Sequence, residues 1–157
     1  MQIRRSLEKE AAELTALILA AKKHWGYSDA QINVWLPDLN ISAATIAAHP
    51  TFIAEHVGQM IGFYSLVPSS PVWELDHLWV LPAFMKKGIG RALLTHAQQT
   101  ARDGGAARIS INADPNAEPF YLDCGAKRVG IVTAPIAGQP QRIRPQLVLA
   151  VASSSSD

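Results

Sequence analysis

Cysteine is almost absent from this sequence, Cys124 being the sole example, so no internal disulfide can brace the fold and a reducing, cytoplasmic setting is expected. Nor does either charge dominate, with 14 Lys and Arg against 13 Asp and Glu and a formal net charge of +1. That balance excludes the broad basic footprint of a nucleic-acid binder, so any anion site must be local. Long hydrophobic runs are missing too. The stretch LTALILAA, residues 14–21, is too short to cross a bilayer, and no membrane partner is expected. His49, His56, His77 and His96 stand at no metal-ligand spacing with one another or with Cys124, so no metal site is expected. What is present suffices for one well-buried domain: 157 residues with 48% hydrophobic content. That domain is expected over 1–152, with the SSSSD tail, 153–157, disordered.

The hydrophobic periods change in a readable order. Leu7, Ala11, Leu14, Ile18, Ala21 and Trp25 alternate spacings of four and three, one stripe of a first helix. Ser28 with Gln31 reads as a capping box and Tyr27 with Ile32 as a hydrophobic staple, which starts a second helix at about Asp29. From Thr51 three strands follow at short spacing: TFIAEHV, MIGFYSLV and VWELDHLWV. Ile89, Leu93, Ala97 and Ala101 make a helical stripe that stops at Gly104-Gly105, and RISINA returns as a strand, so this unit is a right-handed parallel crossover. A short helix through PFYLDC, a strand from Lys127 to Thr133 and a last strand QLVLAV complete a mixed α/β domain.

The stretch VLPAFMKKGIGRALL, residues 80–94, hands a strand over to a helix through two glycines. Amides of a helix's first turn lack intrahelical partners and carry the positive end of the macrodipole. Gly88 and Gly90 let an anion approach that backbone, and Lys86, Lys87 and Arg91 add charge, so a phosphate or pyrophosphate fits. The same residues also suit a plain tight turn with a solvated basic rim. A dinucleotide-binding fold is a further alternative, with Asp114 in place of its ribose-binding acid; against it, the third glycine of that fingerprint falls on Leu93.

Two linked segments, DHLWVLPAFMKKGIGRALLTHA and ISINADPNAEPFYLDCGAKRVG, resemble the acetyl-CoA-binding core of the GNAT superfamily of N-acetyltransferases. The resemblance covers roughly residues 72–132. It implies a central mixed sheet of six to seven strands with helices on both faces, splayed between its fourth and fifth strands to admit acetyl-CoA. The pyrophosphate would lie on Met85, Lys86, Lys87, Gly88, Ile89, Gly90 and Arg91, and the pantetheine arm along Leu78, Trp79 and Val80. Asp114, Asn116 and Phe120 stand where the family makes further cofactor contacts. The sequence departs from the family pattern in three places: Met85 replaces the usual Gln or Arg, Asp114 the usual Asn, and Gly125-Ala126 the usual Gly-Phe.

The reaction so implied is direct attack of an amine on the acetyl thioester. It needs a neutral amine, donors for the developing oxyanion and a proton for the leaving thiolate. Tyr121 matches the family's proton donor; its alternative role is aromatic packing. Glu74 and Asp76 share a strand face and are candidates for the base, or are solvated strand residues. A backbone NH near Leu78 or Trp79, exposed by a bulge, would serve the oxyanion. His24, Trp25 and Tyr27, between the first two helices, and Arg142, before the last strand, are candidate contacts for an amine-bearing small molecule or peptide. Tyr27 and Trp25 are explained equally by packing, and Arg142 by a solvated loop. A non-catalytic acyl-CoA sensor of the same fold remains an alternative, and a monomer or homodimer is expected.

Overall fold

The structure, a computed structural model, describes residues 1–151. The expected disordered tail, 153–157, lies outside them. Seven strands and five α-helices are formed in these residues: β1 (Gln2–Arg5), α1 (Ala11–His24), α2 (Asp29–Leu39), α3 (Ala43–Ala48), β2 (Thr51–His56), β3 (Gln59–Val67), β4 (Val72–Val80), α4 (Ile89–Asp103), β5 (Arg108–Asn112), α5 (Glu118–Asp123), β6 (Lys127–Thr133) and β7 (Ile143–Ala150). Strand order is β1-β2-β3-β4-β5-β7-β6. The β4–β5 pair is parallel, while β1–β2, β2–β3, β5–β7 and β6–β7 are antiparallel. This is the mixed open sheet expected, and it is not the doubly wound parallel sheet of a dinucleotide-binding fold. By contacts the described residues divide into two compact units, the first comprising Met1–Leu66 and His77–Ala97, the second Val67–Asp76 and the described residues from Gln98 onward.

In the first unit β3 is buried almost throughout because helices cover both its faces. Phe63 joins Leu14, Leu17 and Ile18 of α1, whereas Tyr64, on the opposite face, brings its hydroxyl 2.7 Å from His96 Nδ1 on α4. Gly62 lets this strand come close to its neighbours: a Cβ there would lie 2.9 Å from the Trp79 carbonyl oxygen and 3.0 Å from Leu93 Cδ1. Strict alternation would put Met60 on the Gly62 face. The β2–β3 register instead passes from Ala54↔Gly62 to Glu55↔Met60, so Ile61 is the extra residue of a bulge and Met60 rejoins Phe63 in the core cluster.

In the second unit β5 pairs with β4 from Val72↔Arg108 to Leu75↔Ile111, and β4 runs on past that last pair to Val80. Ile109, Ile111, Leu147 and Leu149 are buried on β5 and β7. Both α4 and α5 end in the same way. Ala106 N bonds Ala101 O and Gly105 N bonds Arg102 O, as Ala126 N bonds Tyr121 O and Gly125 N bonds Leu122 O. Each is a Schellman motif whose left-handed residue, Gly105 (φ 94°) or Gly125 (φ 99°), is a glycine.

Several expectations are corrected. The stripe from Leu7 to Trp25 is too long: the helix is Ala11–His24, and Leu7 and Trp25 are 50% and 38% exposed. The residues before it form β1, whose Arg4 bonds Glu10 and Glu55; QIRR has too little apolar alternation to announce a strand. A third helix, α3, was not expected; Ser42 caps it by accepting from Thr45 N at 3.1 Å. The last strand begins at Ile143 rather than Gln146, and Arg142 before it is buried, not a solvated loop residue.

Candidate active site

The strand-to-helix loop lies in the first unit. Leu81 N bonds Ile61 O at 2.8 Å, a 3-10 turn follows over Pro82–Phe84, and the chain then turns through two left-handed residues, Lys86 (φ 61°) and Gly88 (φ 83°). Gly88 O accepts from Ala92 N, so Gly88 is the residue from which α4 starts. A Cβ at Gly88 would meet no atom within 4 Å, so the space before the helix start is open. Lys86, Lys87, Gly88 and Arg91 are exposed, Met85 and Gly90 are partly covered, and Ile89 is buried as the loop's anchor. The first turn of α4 holds no acidic residue. Lys87 Nζ sits 5.5 Å from the Phe84 ring centroid. Helix dipole and side chains thus present positive charge around an open backbone cradle.

At the strand end before this loop, burial alternates from Trp73 to His77 and then lapses, with Leu78, Trp79 and Val80 all partly exposed. The Trp79 indole NH donates to His77 Nδ1 at 3.0 Å, and the ring packs on the α1 core cluster. At the corner between α1 and α2, His24 and Trp25 are exposed and meet edge to face, while Tyr27 is buried against Trp35. Ser28 Oγ accepts from Gln31 N as the capping pattern required.

The second unit holds the candidate acid and bases. Glu74 and Asp76 occupy the exposed face of β4, alternating with buried Trp73 and Leu75. Tyr121, on α5, is buried, its ring 5.2 Å from that of Phe120. Burial raises the phenol's pKa, the Cys124 and Asp114 sites push the same way, and the Arg144 charge opposes them. Asp114 is buried and committed within the chain. It accepts from Asn116 N at 2.8 Å and from the Asn116 side-chain amide at 2.9 Å, and it lies 3.6 Å from the Arg142 guanidinium, with the two charged side chains 8% and 4% exposed. Arg144 clasps the end of β5 through Asn112 O and Ala113 O.

A model of the acetyltransferase (GNAT) family matches residues 14–126. The chain belongs to the GNAT acetyltransferase family. An uncharacterized N-acetyltransferase of Mycobacterium tuberculosis is 30% identical over 106 residues, 61% of this chain and 68% of that relative. Among solved structures, a GCN5-related N-acetyltransferase from Rhodopseudomonas palustris superposes with TM-score 0.76 at 23% identity, covering 95% of this chain and 94% of that one. The PaiA N-acetyltransferase of Thermoplasma acidophilum, in complex with coenzyme A, gives TM-score 0.78 at 18% identity, covering 95% and 98%.

Acetyl-CoA is the acyl donor of the GNAT family, and the residues present fit it. Gly88 has open space beside it and Lys86, Lys87 and Arg91 are exposed, surroundings that would suit its pyrophosphate, and the partly exposed strand end from Leu78 to Val80 would suit its pantetheine arm. Within this GNAT chain the expected site residues fall into groups. Asp114, Asn116 and Arg142 are joined to one another, and Phe120 to Tyr121. Exposed His24 and Trp25 part from buried Tyr27. The sequence reading missed Lys22, enclosed by Tyr27, Trp35 and Trp79, and Arg144 beside Tyr121. No local signal marks Lys22, because its partners lie on three other stretches of chain. Arg144 follows Arg142 by two residues, and no local pattern of the sequence marks it either.

Proposed function

We propose that this GNAT protein transfers the acetyl group of acetyl-CoA to a primary amine, of a small molecule or a peptide N-terminus, by direct attack in a ternary complex. The observation that carries the reading is the helix start at Gly88, with its positive φ, open space, three basic side chains and acid-free first turn. The residues from Met85 to Arg91 hold the pyrophosphate, chiefly through backbone NH groups, and Leu78, Trp79 and Val80 pair with the pantetheine amides. A backbone NH at Leu78 or Trp79 donates to the oxyanion as the amine nitrogen bonds to the acyl carbon. Glu74 or Asp76 accepts the amine's proton, and Tyr121 gives its hydroxyl proton to the departing sulfur. Because burial raises the Tyr121 pKa, the phenol is fully protonated at neutral pH, as a proton donor must be. Asn116 and Phe120 serve the cofactor and exposed His24 and Trp25 the acceptor, while Asp114, Arg142 and Tyr27 are held in buried contacts of their own. The single cysteine and the near-neutral charge suit a cytoplasmic enzyme.

The test is an acetylation screen across amine classes, read as free CoA release. Turnover above the hydrolysis background with any amine supports the transferase. Tight CoA binding with no turnover across the panel overturns it in favour of an acyl-CoA sensor.

A further inference from the structure

We propose that two copies of this chain join by antiparallel pairing of their β6 strands about a two-fold axis normal to the sheet. Among the described strands β6 is last in the order and pairs on one side only, with β7. Its other side presents a row of backbone NH and C=O groups, and what completes such a row is another extended segment. The strand is bare on its faces as well. All its residues except Gly130 are exposed, Val129 by 67% and Ile131 and Val132 by 51% each, and Leu122, on the helix that leads into β6, is exposed too. Single exposed apolar residues are ordinary, whereas four between positions 122 and 132, three of them on an outer strand, mark an interaction surface.

The partner must be an extended, β-branched segment with an open side of its own, and β6 answers that description: KRVGIVT holds no proline and carries Val129, Ile131, Val132 and Thr133. β1, at the other end of the strand order, does not. It is four residues long and two of them are Arg4 and Arg5, the marks of a protected edge, and a β6-to-β1 contact between copies would run head to tail without closing. The charges of β6 then set the direction. Lys127 and Arg128 stand at its start and uncharged Val132 and Thr133 at its end, so parallel pairing would lay like charges side by side. Antiparallel pairing puts the cationic end of each copy beside the uncharged end of the other, and Arg128 is already held by Glu118 at 2.7 and 2.8 Å. Val129 is the extra residue where the register with β7 steps from Arg128↔Leu147 to Gly130↔Gln146, so the regular ladder runs from Gly130 to Thr133. The axis falls in that uncharged part, where Ile131 and Val132 of each copy cover those of the other in an isologous contact.

The experiment is analytical ultracentrifugation of the full chain from low to high micromolar concentration, for the wild type, Ile131→Lys and Val34→Lys. The wild type is expected to form a dimer that dissociates within this range, since one short strand edge lies at the small end of interface sizes. Ile131→Lys sets two like charges near the axis and should weaken association by roughly a hundredfold. Val34→Lys charges an exposed valine on α2 and should leave the dimer intact. Both positions are exposed, so both variants should keep the wild-type circular dichroism and melting temperature of the monomer. Hydrogen exchange measured at the two ends of the concentration range should show residues 127–133 exchanging more slowly in the dimer. A wild type that stays monomeric at the highest concentration overturns the proposal. So does a dimer that Ile131→Lys leaves intact, one whose 127–133 amides exchange as fast as the monomer's, or growth beyond a dimer, which would mean a head-to-tail contact. None of these measurements involves turnover, so their outcome is separate from that of the amine screen.

Discussion

A single methyl group at Gly62 tests whether the close approach of β3 to the strand end and to α4 is as tight as the structure has it. Gly62 is not in the left-handed region, so Gly62→Ala introduces no backbone strain, and the outcome depends on space alone. The new Cβ would stand 2.9 Å from the Trp79 carbonyl oxygen and 3.0 Å from Leu93 Cδ1. Leu93 can rotate away, but a sheet carbonyl cannot move without displacing its strand. Overpacking of this kind costs about 1–3 kcal/mol. Alanine also restricts the unfolded chain, which returns about 0.4–1 kcal/mol. The net expectation is a loss of about 1–2 kcal/mol, seen as a melting temperature lower by roughly 3–6 °C for a chain of this size. Urea unfolding followed by circular dichroism reads it directly, the midpoint falling at constant slope. Because Trp79 lies at the proposed pantetheine strand, CoA affinity should weaken alongside stability. A midpoint equal to or above wild type would show that β3 and β4 tolerate the methyl and that the packing argument is wrong.

The other predictions concern the site itself. Tyr121→Phe keeps the packed ring and removes the proton donor, so turnover should fall by about a hundredfold or more with CoA affinity little changed; steady-state kinetics on a confirmed amine showing less than a threefold fall, with chemistry rate-limiting, would reassign Tyr121 to packing. Gly88→Val places a branched side chain in the open cradle and on a left-handed backbone, and titration calorimetry should show CoA binding severely weakened; unchanged affinity in a folded variant would move the pyrophosphate elsewhere. Arg142→Met leaves the buried Asp114 carboxylate without its guanidinium, and thermal unfolding should show a loss on the order of 3–5 kcal/mol, with near-neutrality indicating that the pair lies open to water.

The GNAT core was legible in the sequence because its information is local. A period of two, a proline, two glycines and a period of 3.6 follow one another without interruption from Val72 to Asp103, and each dictates its own backbone. The same holds for the α5 segment, where Gly125 stops the helix that carries Tyr121. Tertiary structure decided whatever depends on partners distant in sequence. β1 exists because β2 pairs with it and because Glu10 and Glu55 hold Arg4, not because QIRR favours a strand. Met60 changes face because the β2–β3 register skips Ile61, and no period within one strand records the register of its neighbour. Arg142 and Asp114, 28 positions apart by number (142 − 114), become a buried pair only when β7 is laid beside β5. Lys22, in the last turn of α1, lies over the Trp35 and Trp79 rings only because α2 and β4 bring them there. Periodicity fixes which way a residue faces along its own element, whereas burial, pairing and charge environment depend on which other elements it meets.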